Sequence, residues 1–179
     1  MVGLRQGVIM ISCTLGPLAQ CAPRELVQVK VGDPTEWAIV GAEDPGYFPL
    51  IVLSGDGAPF VLNVSPDPGE FETRAVAKYG TNYRFAFDPM GPCQIGDGTL
   101  SKTVGSVVLT DDGDWHLIVN NHMQKGVRWF HLESGKITGE PGLQRIAFGS
   151  WSLFIEGLKQ EPSEFTLLEF PKPSAVHSA

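Results

Sequence analysis

The chain has 179 residues, enough for one domain to bury its own hydrophobic core without disulfide or metal cross-links. Hydrophobic residues make up 42% and charged residues 18%, which excludes an intrinsically disordered chain. The formal net charge of −7 disfavours a nucleic-acid partner, because phosphate binding draws on clustered Lys and Arg.

Residues 1–22 have the order of a secretory signal or an anchor segment. Arg5 precedes an apolar stretch, and small residues follow it. The residues before Cys21 also resemble a bacterial lipoprotein cleavage site, although Gln20 departs from the small residue of such sites. The sequence therefore predicts a secreted, periplasmic or cell-envelope protein, with a lipid anchor at Cys21 as a less favoured addition. The alternative is that residues 7–12 form an ordinary first strand.

The apolar stretch is too short for a transmembrane helix, which takes about 20 residues, and no later segment qualifies. Removal of the leader would also remove Cys13 and leave Cys21 and Cys93 as a candidate disulfide pair in an oxidising compartment. Retention of the leader would leave at least one thiol unpaired.

Residues 23–170 are predicted to form a single β domain, because their apolar residues recur with period two. Tyr83, Phe85 and Phe87 alternate with more polar residues, as do Trp151 and Leu153. We expect these side chains and Leu117 to lie in the core. Further strands are predicted at 26–31, 36–40, 104–110, 143–148 and 165–170. The 21 glycines and 14 prolines disfavour long helices.

Three turn sequences predict hairpins. The clearest is Asp111-Asp112-Gly113-Asp114 between the β-prone runs 107–110 and 115–119, because Gly tolerates the positive φ of a tight turn. The others are 54–57, between 50–53 and 60–64, and 133–136, after 127–132. Three hairpins in a short chain indicate an antiparallel meander.

Residues 70–79 fit both a helix and a strand, and the alternation of apolar and polar residues favours the strand. The fold class is therefore all-β: an antiparallel β-sandwich or a closed β-barrel of about ten short strands, with a β-trefoil as the less favoured arrangement. Residues 171–179 contain two prolines and small polar residues, and they predict a flexible tail.

Three histidines, His116, His122 and His131, fall close to the 111–114 aspartates and could meet on adjacent strands. No metal-binding spacing accompanies them, so the sequence predicts no metal site and no cofactor. Since Trp115 and His116 are neighbours, a core-facing Trp115 would place His116 in solvent.

Trp129 is the best candidate for a binding residue, because an exposed indole offers a flat apolar surface to a sugar ring or a partner side chain. Lys125, Arg128 and His131 would form its polar rim. The alternative is that Trp129 belongs to the core. No catalytic residue can be assigned, since no nucleophile elbow or placed carboxylate pair is recognisable.

These features predict an exported, non-catalytic β domain that binds a glycan or a protein partner through loops and exposed aromatics. One alternative is a small β-barrel enzyme, a hydrolase or isomerase, with a carboxylate or histidine inside the barrel. The other is a structural subunit of a surface assembly.

Overall fold

The computed structural model describes residues 13–31, 35–42, 47–65, 75–88, 90–121, 123, 125–156 and 164–171. In these ranges the chain forms fifteen strands and two short 3-10 turns, at Leu18–Gln20 and Leu100–Lys102. The strands are β1 (Thr14–Pro17), β2 (Leu26–Val29), β3 (Glu36–Val40), β4 (Phe48–Val52), β5 (Phe60–Val64), β6 (Ala75–Gly80), β7 (Tyr83–Phe87), β8 (Cys93–Ile95), β9 (Val107–Thr110), β10 (Trp115–Asn121), β11 (Gly126–His131), β12 (Ile137–Thr138), β13 (Gln144–Phe148), β14 (Trp151–Glu156) and β15 (Glu164–Phe170).

The strands form a large sheet and a small one. The large sheet runs in the order β1-β6-β2-β3-β4-β5-β10-β9-β13-β8, and β11 and β12 extend it beside β10. The small sheet has the order β15-β14-β7. Its strands pair antiparallel, as do those of the large sheet except at Asn120 and Phe60, where β10 and β5 meet in parallel. The all-β prediction is confirmed.

The predicted hairpins are formed. Strands β9 and β10 pair with Leu109 opposite Trp115, and the amide of Thr110 donates to the carbonyl of Asp114 at 3.0 Å. Gly113 has a φ of 90°, a left-handed conformation that favours glycine. The hairpins β4–β5 and β11–β12 are likewise antiparallel pairs.

The two sheets pack face to face around the main core. Trp151, Leu153 and Ile155 of β14 meet large-sheet side chains that include Leu117 and Phe130. Full burial of one such side chain stabilises the folded state by about 1.5–3 kcal/mol relative to leaving it exposed. The interface between the sheets holds the largest of the three apolar clusters among the described residues.

The predicted core residues all belong to this interface. Leu117 and Leu153 are fully buried, as expected. Tyr83, Phe85 and Phe87 of β7 are half-buried and pack against the core from its margin.

The opposite face of the large sheet is also covered. Around β2, β3 and β4 it carries a second apolar cluster, which includes Leu18 and Cys21 from the N-terminal segment. Around β9, β10 and β11 it carries a third cluster, which contains Val108, Ile118 and Trp129 and packs against Leu100. Much of the large sheet therefore has no solvent face.

The sheet order decides between the predicted architectures. The described large sheet ends at β1 on one side and at β8 on the other, so it is not closed. The sandwich prediction agrees with two packed sheets, and the closed-barrel alternative is wrong. The order of the described strands also lacks the three-fold repetition of a β-trefoil. The estimate of about ten strands was too low, mainly because β1, β8 and β12 were not anticipated.

Part of the predicted leader contacts the domain. Strand β1 pairs with β6, with Gly16 opposite Val76, and Leu18 is fully buried. The Lys78 ammonium donates to the carbonyl of Gln20 at 3.0 Å. Residues 1–12, which include the alternative first strand 7–12, lie outside the described residues. Cleavage of the leader stays a prediction, and loss of residues 14–21 would remove these contacts.

The cysteines are unpaired in the structure. Cys13 and Cys93 are exposed, whereas Cys21 is buried. Burial raises the pKa of the Cys21 thiol to about 11, with a smaller contribution from the Glu25 carboxylate. A lipid at Cys21 would require this thiol to leave the core.

Two further predictions fall partly outside the described residues. Strand β6 confirms a strand over the second half of 70–79, and residues 70–74 are not described. The predicted tail is described only at Pro171, which is exposed. Within the described ranges, no helix is long and apolar enough to cross a membrane.

Candidate functional site

Strands β10 and β11 place two histidines opposite each other. His116 pairs in register with His131, and their ring centroids lie 5.0 Å apart with the planes 69° apart. Both rings lie on the face that carries Ile118 and Trp129, because alternate residues of a strand share a face. The prediction that histidines of adjacent strands could meet is confirmed for this pair, and His122 lies outside the described residues.

The two rings line a cleft of about 480 Å³ on this face. The β9–β10 turn contributes Asp112 and Asp114, the β11–β12 turn contributes Ser134 and Lys136, and residues 138–142 form a further wall. We call this space the polar cleft. Its volume falls within the roughly 300–1,000 Å³ range of small-molecule sites.

His116 is the most buried polar residue of the cleft after Thr110, at 5% exposure. Burial lowers the pKa of its imidazole, and His131 lowers it further, whereas Asp114 opposes the shift. Its Nδ1 atom is buried and has no hydrogen-bond partner among the described residues. The Asp114 backbone contributes to the electrostatics of the ring, and Nδ1 is left as a buried nitrogen without a hydrogen-bond partner.

His131 is held from both sides. Its Nδ1 accepts from the amide of Ser134 at 2.9 Å and lies 2.7 Å from the Ser134 hydroxyl. A nitrogen that accepts from an amide carries no proton, so the neutral ring has its proton on Nε2. Nε2 lies 3.3 Å from a carboxylate oxygen of Asp114. These contacts fix both the orientation and the tautomer of His131.

Ser134, His131 and Asp114 are the residue types of a catalytic triad. The hydrogen bonds around them are instead those of a turn. An acyl-transfer site needs free amides directed at the developing oxyanion. Here the amides of Ser134, Gly135 and Lys136 bond to His131 Nδ1, the His131 carbonyl and the Ser134 hydroxyl, respectively. The hydrogen bonds therefore close the β11–β12 turn and position the imidazole.

The polar cleft has an excess of negative charge. The carboxylates of Asp112, Asp114 and Glu140 line it, against the single ammonium of Lys136. Glu140 also lies 3.4 Å from the Lys102 ammonium, an exposed pair. Such a set of acceptors disfavours an anionic ligand and suits groups that donate hydrogen bonds.

Within the described residues, no group of three His, Cys, Asp or Glu side chains is placed to hold a metal ion. The contacts that the structure gives to His116 and His131 are hydrogen bonds, the pairing of His131 with Asp114, and the contact between the two rings.

The predicted binding residues do not form one surface. Trp129 is only 4% exposed and lies in the third apolar cluster, so the expectation of an exposed indole is wrong and the alternative of a core Trp129 is confirmed. Arg128 points to the opposite face from Trp129 because they are neighbours on a strand, and Lys125 is exposed in the β10–β11 turn. Of the four, only His131 lines the polar cleft. Whether these residues bind a partner stays a prediction.

The prediction that His116 faces solvent is wrong. Trp115 does face the main core, but His116 is buried because the second face of the sheet is covered too. Asp114 and Ser134 were not predicted as site residues, since both occupy sequences typical of ordinary turns. The spacing of His131 and Ser134 was the available signal, because a side-chain acceptor three residues before a serine can close a turn.

The chain was compared with protein-family models, curated proteins and solved structures, and none of them matches.

Proposed function

We propose that the protein is a non-catalytic binding domain whose polar cleft takes a neutral, polyhydroxylated ligand, that is, a carbohydrate. The observation that carries the proposal is the buried His116, which lines the cleft beside His131 and Asp114 and has an Nδ1 nitrogen without a hydrogen-bond partner. A buried polar atom without a partner costs about 1–3 kcal/mol, and a bound ligand that supplies a donor recovers it.

Sugar hydroxyls match the cleft because each one can donate and accept a hydrogen bond. The Asp112 and Asp114 carboxylates accept from hydroxyls, the Lys136 ammonium donates to them, and His116 Nδ1 accepts from a hydroxyl directly or through one bridging water. The excess of carboxylates favours a neutral sugar over an acidic one. Fixed side chains such as His131 also lower the entropic cost of binding.

The experiment is a titration with glucose, galactose, mannose and N-acetylglucosamine and their disaccharides, followed by nitrogen NMR of the histidine rings. We expect a saturable shift of His116 Nδ1 with at least one sugar. In His116→Leu the affinity for that sugar is expected to fall at least about tenfold, because the acceptor is lost.

Two carboxylate variants add a test and its matched control. Asp114→Asn is expected to weaken sugar binding, whereas Asp97→Asn, an exposed residue outside the cleft, is expected to leave it unchanged. The proposal fails if no sugar in the panel shifts His116, or if His116→Leu binds as the parent does. The first result would favour the alternative prediction of a protein partner.

Export is the second part of the proposal, since residues 1–22 predict a secreted or cell-envelope protein. Intact-mass measurement of the protein from its host reports the mature N-terminus. A mature chain that begins near residue 13 or 14 would keep the β1 contacts with β6. A full-length chain would instead favour the structural-subunit alternative.

A further inference from the structure

The small sheet has an open edge at β7. Its order is β15-β14-β7, and no described strand pairs with the other side of β7. The Asp88 amide donates to the Ser150 carbonyl at 3.5 Å, which continues the β7–β14 ladder by one residue. Antiparallel strands bond their partner at every second residue, so the alternate residues of β7 direct their N–H and C=O groups to the open edge. These residues are Tyr83, Phe85 and Phe87.

The other described edge strands carry features that discourage the addition of a strand. Strand β1 ends in Pro17, β8 has three residues directly after Pro92, and β12 has two residues. Strand β15 has an extra residue, Leu167, where its register with β14 shifts. Short strands, prolines and bulges are the usual protection of a sheet edge.

Strand β7 lacks this protection. It has five residues without proline, and it pairs with β14 without a register shift. Its one charged residue, Arg84, holds its guanidinium over the Phe154 ring of β14, at 4.8 Å from the ring centroid, and not beside the open edge. An unprotected edge of β-prone residues is a template for another extended chain.

A groove of about 330 Å³ lies beside this edge, and we call it the edge groove. The three outward-bonding residues of β7 line it, together with Trp115 and Leu132 of the large-sheet side. Trp115 and Leu132 are only partly buried, at the margin of the main core. A strand added to β7 would lay its inward-facing side chains on these two residues, because alternate residues of a strand share a face.

The edge groove has little net charge. Apart from Arg84, its charged lining residues are Arg24 and Glu133, one of each sign. The Nε atom of Arg24 is buried and has no hydrogen-bond partner among the described residues, so it can donate to a carbonyl. A neutral apolar groove next to a row of backbone donors and acceptors matches an uncharged polypeptide backbone.

From these observations we propose that β7 takes up an extended, uncharged peptide segment of a protein partner as a fourth strand of the small sheet. The backbone of the peptide bonds to the open edge, and its alternate apolar side chains fill the edge groove. This surface is separate from the polar cleft, and the proposal does not rest on the carbohydrate proposal.

The first experiment uses a blocked hexapeptide of alternating Thr and Val and two N-methylated forms of it, methylated on all Val amides or on all Thr amides. We expect the hexapeptide to bind saturably in calorimetry. One methylated form should bind at least about tenfold more weakly and the other unchanged, because only one edge of the peptide faces β7.

The sensitive form also reports the strand direction. Loss on Val methylation indicates antiparallel addition, and loss on Thr methylation indicates parallel addition. No binding of the hexapeptide, or equal binding of both methylated forms, would overturn the proposal.

Amide hydrogen exchange locates the peptide. In the free protein we expect fast exchange at Tyr83, Phe85 and Phe87 and slow exchange at Arg84 and Ala86, which bond to β14. The hexapeptide should slow exchange at the first three. Slow exchange there in the free protein would overturn the proposal, and a dimer in size-exclusion chromatography would then identify a second copy as the occupant.

A variant of the groove wall supplies the last test. Leu132→Thr is expected to weaken hexapeptide binding about tenfold, because apolar contact is lost. Ile95→Thr is the matched control, since Ile95 is 85% exposed on the edge strand β8, and it should bind as the parent does. Chemical denaturation confirms that both variants are folded. Unchanged binding in folded Leu132→Thr would refute the groove assignment.

The two proposals fail separately. His116→Leu is expected to keep hexapeptide binding, because His116 lies in the polar cleft. Loss of hexapeptide binding in this variant would place the peptide in the polar cleft and contradict the assignment to β7.

Discussion

Trp115 and His116 are neighbours on β10, yet they face two environments that differ in nearly every respect. On one side Trp115 stacks on Phe87 within the packed interface between the sheets. On the other side His116 is buried with an unsatisfied nitrogen in a polar cleft. The aromatic side stabilises the fold by packing, whereas the polar side holds a buried nitrogen without a partner, which costs stability. One strand can therefore support the core on one face and a candidate site on the other.

Removal of the Trp115 side chain is expected to change the free energy of unfolding more than the other variants do. Trp115→Ala should lower the free energy of unfolding by about 3 kcal/mol, because the contacts with Phe87 and Phe148 are lost and a cavity remains. Chemical denaturation measures this change. Trp115→Phe is the control and should lose much less, since it keeps a ring against Phe87. A small loss of unfolding free energy in Trp115→Ala would show that the packing of Trp115 contributes little to stability.

The neighbouring position should respond in the opposite direction. His116→Leu replaces a buried, unsatisfied polar group by an apolar one of similar size, and we expect it to raise the free energy of unfolding by about 1–2 kcal/mol. The same denaturation measurement checks it. A destabilised His116→Leu variant would mean that the contacts of the imidazole with Asp114 and His131 outweigh the cost of its unsatisfied Nδ1, and the contrast between the two faces would disappear.

The same histidine predicts how stability depends on pH. The pKa of His116 lies below its ordinary value of 6.5 in the folded protein, mainly because of burial. As the pH falls below about 6.5, the unfolded chain takes up a proton that the folded chain does not, so stability decreases. We expect the stability advantage of His116→Leu over the parent to grow on acidification from pH about 7 to about 5. A constant difference between the two proteins would contradict this prediction.

The smallest stability effect is expected at the rim of the polar cleft. The side chain of Asp114 is 46% exposed, so its contact with His131 is partly screened by water. Asp114→Asn should therefore change the free energy of unfolding by no more than about 0.5 kcal/mol while it weakens sugar binding. Thermal denaturation and the sugar titration together test this. A large loss of stability would make Asp114 a structural residue.

Much of the fold could be predicted from local sequence. The 111–114 turn closes a hairpin because Gly113 can adopt a positive φ, and the alternation in Tyr83–Phe87 and Trp151–Glu156 marks strands that lie at one interface. The candidate site was harder to predict. His116 and His131 were recognised as able to meet, but Trp129 was proposed as an exposed binding residue, with the core as the alternative, and His116 was placed in solvent. Both errors arose because period-two patterns divide a strand into two faces without saying whether the second face is covered.

The sequence by itself determined the all-β class, the hairpin turns and the residues that share each strand face, because these depend on neighbouring residues. Only the tertiary structure decided that the described large sheet stays open and that much of both of its faces is covered. It also decided that residues 138–142 wall a polar cleft over His116. These features depend on contacts between segments far apart in the chain, and no local pattern encodes which segment covers which face.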